Sequence, residues 1–111
     1  MTIVSENNVH DALAYLASDP HPVAAARHRL TIAENKARET YARLFLASNG
    51  TSVAAKEASV ESHADYIAAR ADEAEAVLEL ERHKRRVKAA EMLLEIWRTE
   101  NANARAAERV R

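Results

Sequence analysis

The scarcity of helix breakers constrains this chain more than any other feature. Only one glycine and two prolines occur in 111 residues, and none of them follows Gly50. Gly and Pro disfavour a helix interior, whereas alanine, the strongest helix former, dominates the 48% hydrophobic fraction. We therefore predict an all-α fold over one domain, residues 1–111. Its expected form is a long antiparallel helical hairpin, coiled-coil-like, with a short N-terminal helix and a short linking helix.

Local signals predict where each helix begins and ends. The predicted helices cover residues 6–18, 20–48, 52–61 and 63–104, and residues 1–5 are expected to be frayed. Asp19 can cap the second helix, with Pro20 at its first position, where a missing N–H costs little. Gly50 is expected to adopt the left-handed conformation that ends this helix. Thr51 can cap the third helix and Ser62 the fourth.

Apolar residues at helical spacing predict which faces meet. The first helix presents Val9, Leu13 and Leu16. The second presents a stripe of mostly small residues: Val23, Ala26, Leu30, Ala33, Ala37, Tyr41 and Leu44. Candidate contacts in the first half of the last helix are Tyr66, Ile67, Ala71, Ala74, Val77 and Leu78. Alanine at such positions lets two helix backbones approach closely, which favours a hairpin between the second and last helices.

A heptad pattern marks the second half of the last helix. Its members, three and four residues apart, are Leu80, His83, Val87, Ala90, Leu94, Trp97, Asn101 and Ala104. Apolar residues concentrate around the only tryptophan: Met92, Leu93, Leu94, Ile96 and Trp97. Aromatic residues make up only 5% of the chain, so a monomer would bury little apolar area. We predict that Leu93, Leu94, Ile96 and Trp97 form the most buried region and the core of a homo-oligomer.

Catalytic and metal-binding patterns are missing from the sequence. Without cysteine there is no disulfide, thiol nucleophile or thiolate ligand. The five histidines are scattered, and Glu79 with His83 would supply only two ligands to a metal. We predict a protein that is not an enzyme and has no metal or other cofactor. The sequence also shows no signal peptide and no apolar run near the ~20 residues that span a bilayer, which predicts a cytoplasmic protein without a membrane partner.

Charge is segregated along the chain, and its positive part is the candidate binding site. Residues 51–79 hold seven acidic and two basic side chains, whereas residues 80–111 hold five acidic and nine basic ones. The densest basic cluster, which we call the basic cluster throughout, consists of Arg82, Lys84, Arg85, Arg86 and Lys88. On a helix Arg82, Arg85 and Arg86 share one side. A row of cations on a rigid helix suits a phosphate backbone, which requires spaced charge.

Other interpretations of these residues stay open. The basic cluster can be a solvated face that pairs locally with Glu79, Glu81 and Glu91. Trp97 in the seam is expected in the core, and Tyr41 and Tyr66 in the core or at its rim. Asn101 either fixes the register of an oligomer or belongs to a fraying helix end.

The segment Trp97-Arg98-Thr99-Glu100-Asn101-Ala102-Asn103-Ala104-Arg105 resembles the close of small helical proteins from tailed phages and prophages, which tend to end in Trp-Arg-Ser/Thr-x-x-Ala-x-x-Arg. These proteins share a basic, alanine-rich helix before a Gly-containing break, here "ARETYARLFLASNG", and a long helix that opens with a Tyr, here Tyr66. The likeness covers roughly residues 24–105, and its layout is similar to that of UvsY-type recombination mediators. It implies an oligomer in the bacterial host cytoplasm that binds single-stranded DNA and assists a recombinase or a single-strand-binding protein.

Two functions are therefore expected from the sequence. The first is a non-enzymatic phage DNA-recombination accessory or mediator protein that binds single-stranded DNA through basic helix faces. The alternative is a helical protein-binding adaptor or inhibitor that binds no nucleic acid. Binding of single-stranded DNA, and its sensitivity to the basic cluster, separates the two.

Overall fold

Four α-helices account for nearly all of the structure. The computed structural model describes residues 4–110. The helices are α1 (Glu6–Ala17), α2 (Pro22–Ala47), α3 (Val53–Glu61) and α4 (Ala64–Val110). Of the described residues 88% are helical and none lies in a strand, which confirms the all-α prediction.

The chain forms two compact units. The hairpin unit comprises Val23–Glu81, and the terminal unit comprises residues 4–22 and 82–110 of the described chain. The 47 residues of α4 contribute to both units. The hairpin unit contains α3, nearly all of α2 and the first part of α4, whereas the terminal unit contains α1 and the rest of α4.

The start of α2 differs from the predicted one. The helix begins at Pro22, and Pro20 lies outside it. Proline disfavours the α conformation in the residue before it, so Pro22 keeps His21 out of the helix. Pro22 itself suits the first helical position, because the N–H that it lacks would have no partner there.

Serine side chains cap α1 and α3. The Oγ of Ser5 accepts a hydrogen bond from the backbone N–H of Asn8 at 3.2 Å, so Ser5 is ordered as a cap and not frayed. Residues 1–3, which the sequence also predicts to be frayed, lie outside the described residues. The cap of α3 is Ser52 and not Thr51, since the Oγ of Ser52 accepts from the N–H of Ala55 at 3.1 Å.

The junction of α3 and α4 also uses different residues from those predicted. Ser62 ends α3 instead of starting α4: its hydroxyl donates to the carbonyl oxygen of Ala58 at 2.9 Å. His63 then precedes the first residue of α4. Its Nδ1 accepts a hydrogen bond from the backbone N–H of Asp65 at 3.0 Å, so the imidazole satisfies one of the free N–H groups at this helix start.

Gly50 does not adopt the predicted left-handed conformation. No described glycine has a positive φ. A Cβ at Gly50 would instead lie 2.9 Å from the backbone nitrogen of Lys56 and 3.1 Å from the carbonyl carbon of Ala55. The position requires glycine because the first turn of α3 passes close to it, and not because of its backbone angles.

Replacing Gly50 by alanine is expected to lower the free energy of unfolding by about 1–3 kcal/mol, the usual cost of forcing an extra methyl group into a packed site. The backbone of α3 would have to shift, since the close atom at Lys56 is a main-chain nitrogen. Urea denaturation followed by circular dichroism measures the effect. Asn49→Ala, a change at the exposed neighbouring residue, is the control and should stay near wild type. A neutral Gly50→Ala would contradict the close approach.

Small residues form the core of the hairpin unit. The buried residues are Ala26, Ala33, Ala37 and Thr40 on α2, Val60 on α3, and Ala69, Ala76 and Leu80 on α4. The predicted α2 stripe is largely confirmed, because its three central alanines are buried and the larger members are half-buried. The alanines allow α2 and α4 to pack closely, as the sequence predicts.

The α4 contacts in this unit lie on a different stripe from the predicted one. Tyr66 is half-buried as expected, but the other five predicted residues are exposed: Ile67, Ala71, Ala74, Val77 and Leu78. The contacting stripe is Tyr66, Ala69, Glu73, Ala76 and Leu80. The charged Glu73 conceals this pattern in the sequence. In the fold its side chain is only 23% exposed, and its carboxylate lies 3.1 Å from Arg70.

Ion pairs favour this stripe and the antiparallel arrangement. Arg29 of α2 lies 3.1 Å from Asp72 and 3.4 Å from Glu79, and Arg43 lies 3.6 Å from Asp65. The basic part of α2 therefore runs along the acidic part of α4. Exposed pairs of this kind contribute about 0–1 kcal/mol each, so they select the pairing more than they stabilise it.

In the terminal unit α1 packs on the second part of α4. Its buried side chains are Val9, Ala12 and Tyr15, while Leu13, which the sequence places on the contact face, is 52% exposed. α1 and α4 are antiparallel. Tyr15, near the end of α1, contacts His83, whereas the earlier residue Asn8 lines a groove with the later residues Ala90 and Leu93.

Candidate nucleic-acid interface

The basic cluster lies on α4 within the terminal unit. The side chains of Arg82, Arg85, Arg86 and Lys88 are exposed, and Lys84 is half-buried. No helix breaker interrupts this part of α4, so the five positions are fixed on one rigid helix. Their environments nevertheless differ.

Arg86 is engaged within the fold. Its guanidinium carbon lies 4.1 Å from the ring centroid of Tyr15, a cation–π contact between α4 and α1. Arg86 also lines a groove with Asp11, an acidic residue of α1. The expected face of three arginines is therefore incomplete, because Arg86 is directed to α1 while Arg82 and Arg85 are not.

Tyr15 is the centre of this contact. Its hydroxyl lies 3.0 Å from Nδ1 of His83 and donates a hydrogen bond to the carbonyl oxygen of His83 at 3.2 Å. Its ring meets the ring of His21 edge to face at 5.1 Å and stacks with that of His83 at 6.3 Å. His83 thus serves as a polar seam residue that binds α1.

Three cations of the basic cluster remain available. Within the described residues Arg82, Arg85 and Lys88 form no ion pair and no ring contact, and all three are exposed. They follow one another at intervals of three residues, so at ~1.5 Å per residue they span about 9 Å of α4. We call them the open row. The alternative interpretation requires ion pairs between these cations and nearby glutamates such as Glu79. Glu79 pairs with Arg29 instead.

The apolar end of α4 is less buried than predicted. Leu93, Leu94 and Trp97 are half-buried, while Ile96 is 38% and Met92 64% exposed. Within the single chain this region is not the most buried one, since Val60 and Ala76 of the hairpin unit have almost no exposure; the predicted burial between copies stays a prediction. The reason for the exposure is that α1 has only 12 residues, and the side chains that it places in a groove with Leu93 include the polar Asn8 and Asp11.

Beyond Trp97 the seam faces an open groove. Trp97, Asn101, Ala104 and Arg105 line this groove of about 480 Å³. The Nε of Arg105 donates to the carbonyl oxygen of Asn101 at 3.4 Å. Asn101 lies in α4 and is half-buried, so it does not belong to a frayed end.

Little in the sequence indicates that α1 contacts the basic cluster. Tyr15 and His83 are 68 positions apart, and the heptad pattern that contains His83 does not indicate its partner. The acidic character of α1, with Glu6 and Asp11, is the one indication that it would pack on a basic helix. The sequence therefore does not indicate that Arg86 contacts the ring of Tyr15.

Two further observations concern metals and membranes. Among residues 4–110, no three His, Asp or Glu side chains come together in a way that could hold a metal ion. Within the same residues, no helix combines the length and the apolar character that crossing a membrane requires.

No protein-family model, curated protein or solved structure matches this chain at a significant level.

Proposed function

We propose that this protein is a non-enzymatic accessory protein of phage DNA recombination that binds single-stranded DNA through the open row. The observation that carries the proposal is that Arg82, Arg85 and Lys88 are exposed, consecutive along one helical face and without an ion pair in residues 4–110. An unpaired cation row on a rigid helix supplies spaced positive charge without the cost of breaking existing pairs. The recombination context, with a recombinase or single-strand-binding protein as partner, comes from the resemblance of residues 24–105.

The chemistry of the open row favours backbone contacts. Lysine and arginine bind phosphates whatever the base sequence, and this term supplies most of non-specific affinity. Specific reading of a duplex requires side chains such as Asn, Gln and Arg aimed together at base edges. The open row is a single line of flexible cations without Asn or Gln beside them, so it offers no such set and binding should be nearly independent of sequence.

The experiment that tests the proposal is a titration of a fluorescent single-stranded oligonucleotide at increasing salt. Three phosphate contacts per protomer predict that log K falls with log salt at a slope of about −2, since each contact contributes about −0.7 on single strands. Folded wild-type protein that shows no binding at low salt would reject the proposal.

Self-association is the second part of the proposal. Apolar side chains around Trp97 stay partly exposed in the monomer, and Leu93, Leu94, Ile96 and Trp97 are the residues that we assign to an interface between copies. When these residues are buried between copies, the protein forms an oligomer. The oligomer makes more phosphate contacts than one protomer, because each protomer contributes its own open row.

Trp97→Ala is expected to lower the free energy of unfolding by about 2 kcal/mol, below the 3–5 kcal/mol of a fully buried aromatic residue. The reason is that Trp97 is only half-buried. The same change should shift the assembly towards monomer in sedimentation equilibrium over a range of concentrations. Met92→Ala, at an exposed position off the seam, is the matched control. Wild-type protein that sediments as a folded monomer at high concentration would contradict the interface.

A protein-binding adaptor is the second candidate, and one observation favours it. In the hairpin unit α4 leaves an outward apolar stripe, on which Ile67, Val77 and Leu78 are between 43% and 54% exposed. Such a stripe can bind the apolar face of another helix. An adaptor would bind no single-stranded oligonucleotide at any salt, so the titration above separates the two functions.

A further inference from the structure

A groove of about 320 Å³ lies between α2 and α4 in the hairpin unit. Tyr41 and Arg38 of α2 line it from one side, and Tyr66 and Arg70 of α4 line it from the other. The volume is at the low end for ligand pockets in proteins, and it accommodates one small planar group. The open row lies in the other unit and plays no part in forming this groove.

The two tyrosines form a preorganised aromatic wall. Their ring centroids are 5.4 Å apart and their planes are inclined at 70°, an edge-to-face arrangement. Phe45 stacks on Tyr41 from further along α2, with centroids 6.2 Å apart. Both tyrosines are half-buried, so their positions are fixed by packing while part of each ring stays accessible.

The two arginines of the groove differ in whether they already form an ion pair. Nη1 of Arg70 lies 3.1 Å from Glu73, so this arginine is already paired. Arg38 is exposed and forms no ion pair within the described residues. Glu34 also lines the groove. The carboxylates of Glu34 and Glu73 repel an anion but accept hydrogen bonds from N–H groups of a ligand. An anionic ligand would therefore place its negative charge beside Arg38, which is exposed.

The Tyr41 phenol stays protonated at neutral pH. Burial raises the pKa of Tyr41 above its usual value of 10.0, and the nearby carboxylates of Glu57 and Glu61, and then Tyr66, raise it further. The hydroxyl is therefore a hydrogen-bond donor throughout the physiological range. A ligand with a carbonyl or ring-nitrogen acceptor suits this position.

We infer that the groove takes one base of a single strand, stacked on the ring of Tyr66 with the inclined ring of Tyr41 at its edge, and with a neighbouring phosphate at Arg38. This inference rests on the proposed function, and it adds a stacking site in the hairpin unit to the phosphate contacts of the terminal unit. Stacking on aromatic rings contributes to single-strand binding for every base, because each base has a π-face. The groove is too polar for the apolar face of a partner helix, since Glu34, Arg38, Arg70 and Glu73 line it.

The test uses a single-stranded oligonucleotide containing 2-aminopurine, whose fluorescence is quenched on stacking. Tyr66→Leu keeps an apolar side chain but removes the ring, and it should weaken binding roughly 5- to 100-fold and abolish the quench. The slope of log K against log salt should not change, because no phosphate contact is lost. Tyr66→Phe keeps the ring and is the matched control, with quench and affinity close to wild type.

Arg38→Gln tests the phosphate contact at an exposed position that the fold does not depend on. This variant should reduce the salt slope by about 0.7, the contribution of one contact. Lys36→Gln is its control: Lys36 is also exposed and only two residues away, but it lies on the other side of α2 and should leave the slope unchanged.

The outcomes separate this inference from the proposed function. Wild-type protein that binds with the expected salt slope, while Tyr66→Leu keeps its affinity and quench, overturns the groove alone. If circular dichroism shows that Tyr66→Leu is unfolded, an unchanged slope in Arg38→Gln overturns it instead. A wild type that binds no oligonucleotide overturns the proposed function and the groove's ligand together.

Discussion

The triple variant Arg82→Glu/Arg85→Glu/Lys88→Glu is expected to lose at least 100-fold in affinity for single-stranded DNA at low salt. The change removes about three phosphate contacts and puts three carboxylates in their place, so repulsion adds to the lost attraction. The residual salt slope should fall to about −0.7, the contribution of the phosphate contact at Arg38. Helix content should stay at the wild-type level, because these side chains are exposed and make no ion pair within residues 4–110.

Fluorescence anisotropy of a labelled oligonucleotide measures the loss, and circular dichroism checks the fold. The matched control is Arg27→Glu/Lys36→Glu/Arg109→Glu, which changes the net charge equally at exposed positions outside the basic cluster. If the control loses as much affinity as the test variant, the open row is not the site. Arg86→Gln should affect binding little, since Arg86 is engaged with Tyr15.

Tyr15→Ala should lower the free energy of unfolding of the terminal unit by about 3–4 kcal/mol. Tyr15 is 7% exposed, and its removal deletes a buried aromatic ring together with its contacts to His83, His21 and Arg86. This is a large share of the stability of a small protein. Trp97 belongs to the same unit, so the fluorescence of this single tryptophan follows the unfolding directly during a urea titration.

Two variants bracket this effect. Tyr15→Phe keeps the ring and loses only the hydroxyl, for a cost of about 0.5–1.5 kcal/mol. Leu13→Ala truncates an aliphatic side chain on the same helix. Because Leu13 is 52% exposed, this change should lower the free energy of unfolding by less than about 1 kcal/mol. An equal effect of Tyr15→Ala and Leu13→Ala would show that Tyr15 does not hold α1 on α4.

The sequence predicted the helices well because helix formation depends on local interactions. With no glycine or proline after Gly50, nothing between α3 and the end of α4 stops a helix except the capping residues around Ser62. The errors at the helix ends were also local. Pro22, and not Asp19, determines where α2 begins, and Ser52 takes the cap in place of Thr51. These corrections follow from backbone rules that act over one or two residues.

The packing faces were predicted less well, because alanine-rich helices carry competing stripes. In the hairpin unit the larger residues Ile67, Val77 and Leu78 suggested one face, whereas the fold buries the face that contains Ala69 and Ala76. The buried face carries the small residues that let two helices approach, and the pairs that Arg29 makes across to α4 lie beside it. Such long-range choices are not encoded in the periodicity of one helix.

The candidate site likewise combines a local feature that the sequence shows with long-range contacts that it does not. The run of basic residues from Arg82 to Lys88 is plain in the sequence, and so is its position on a long helix. Which of these cations are available was decided only by the tertiary structure, because α1 returns to α4 and places Tyr15 against Arg86 and His83. A charge pattern specifies which residues can bind an anion. Only the three-dimensional neighbours of each side chain determine whether its charge is already engaged.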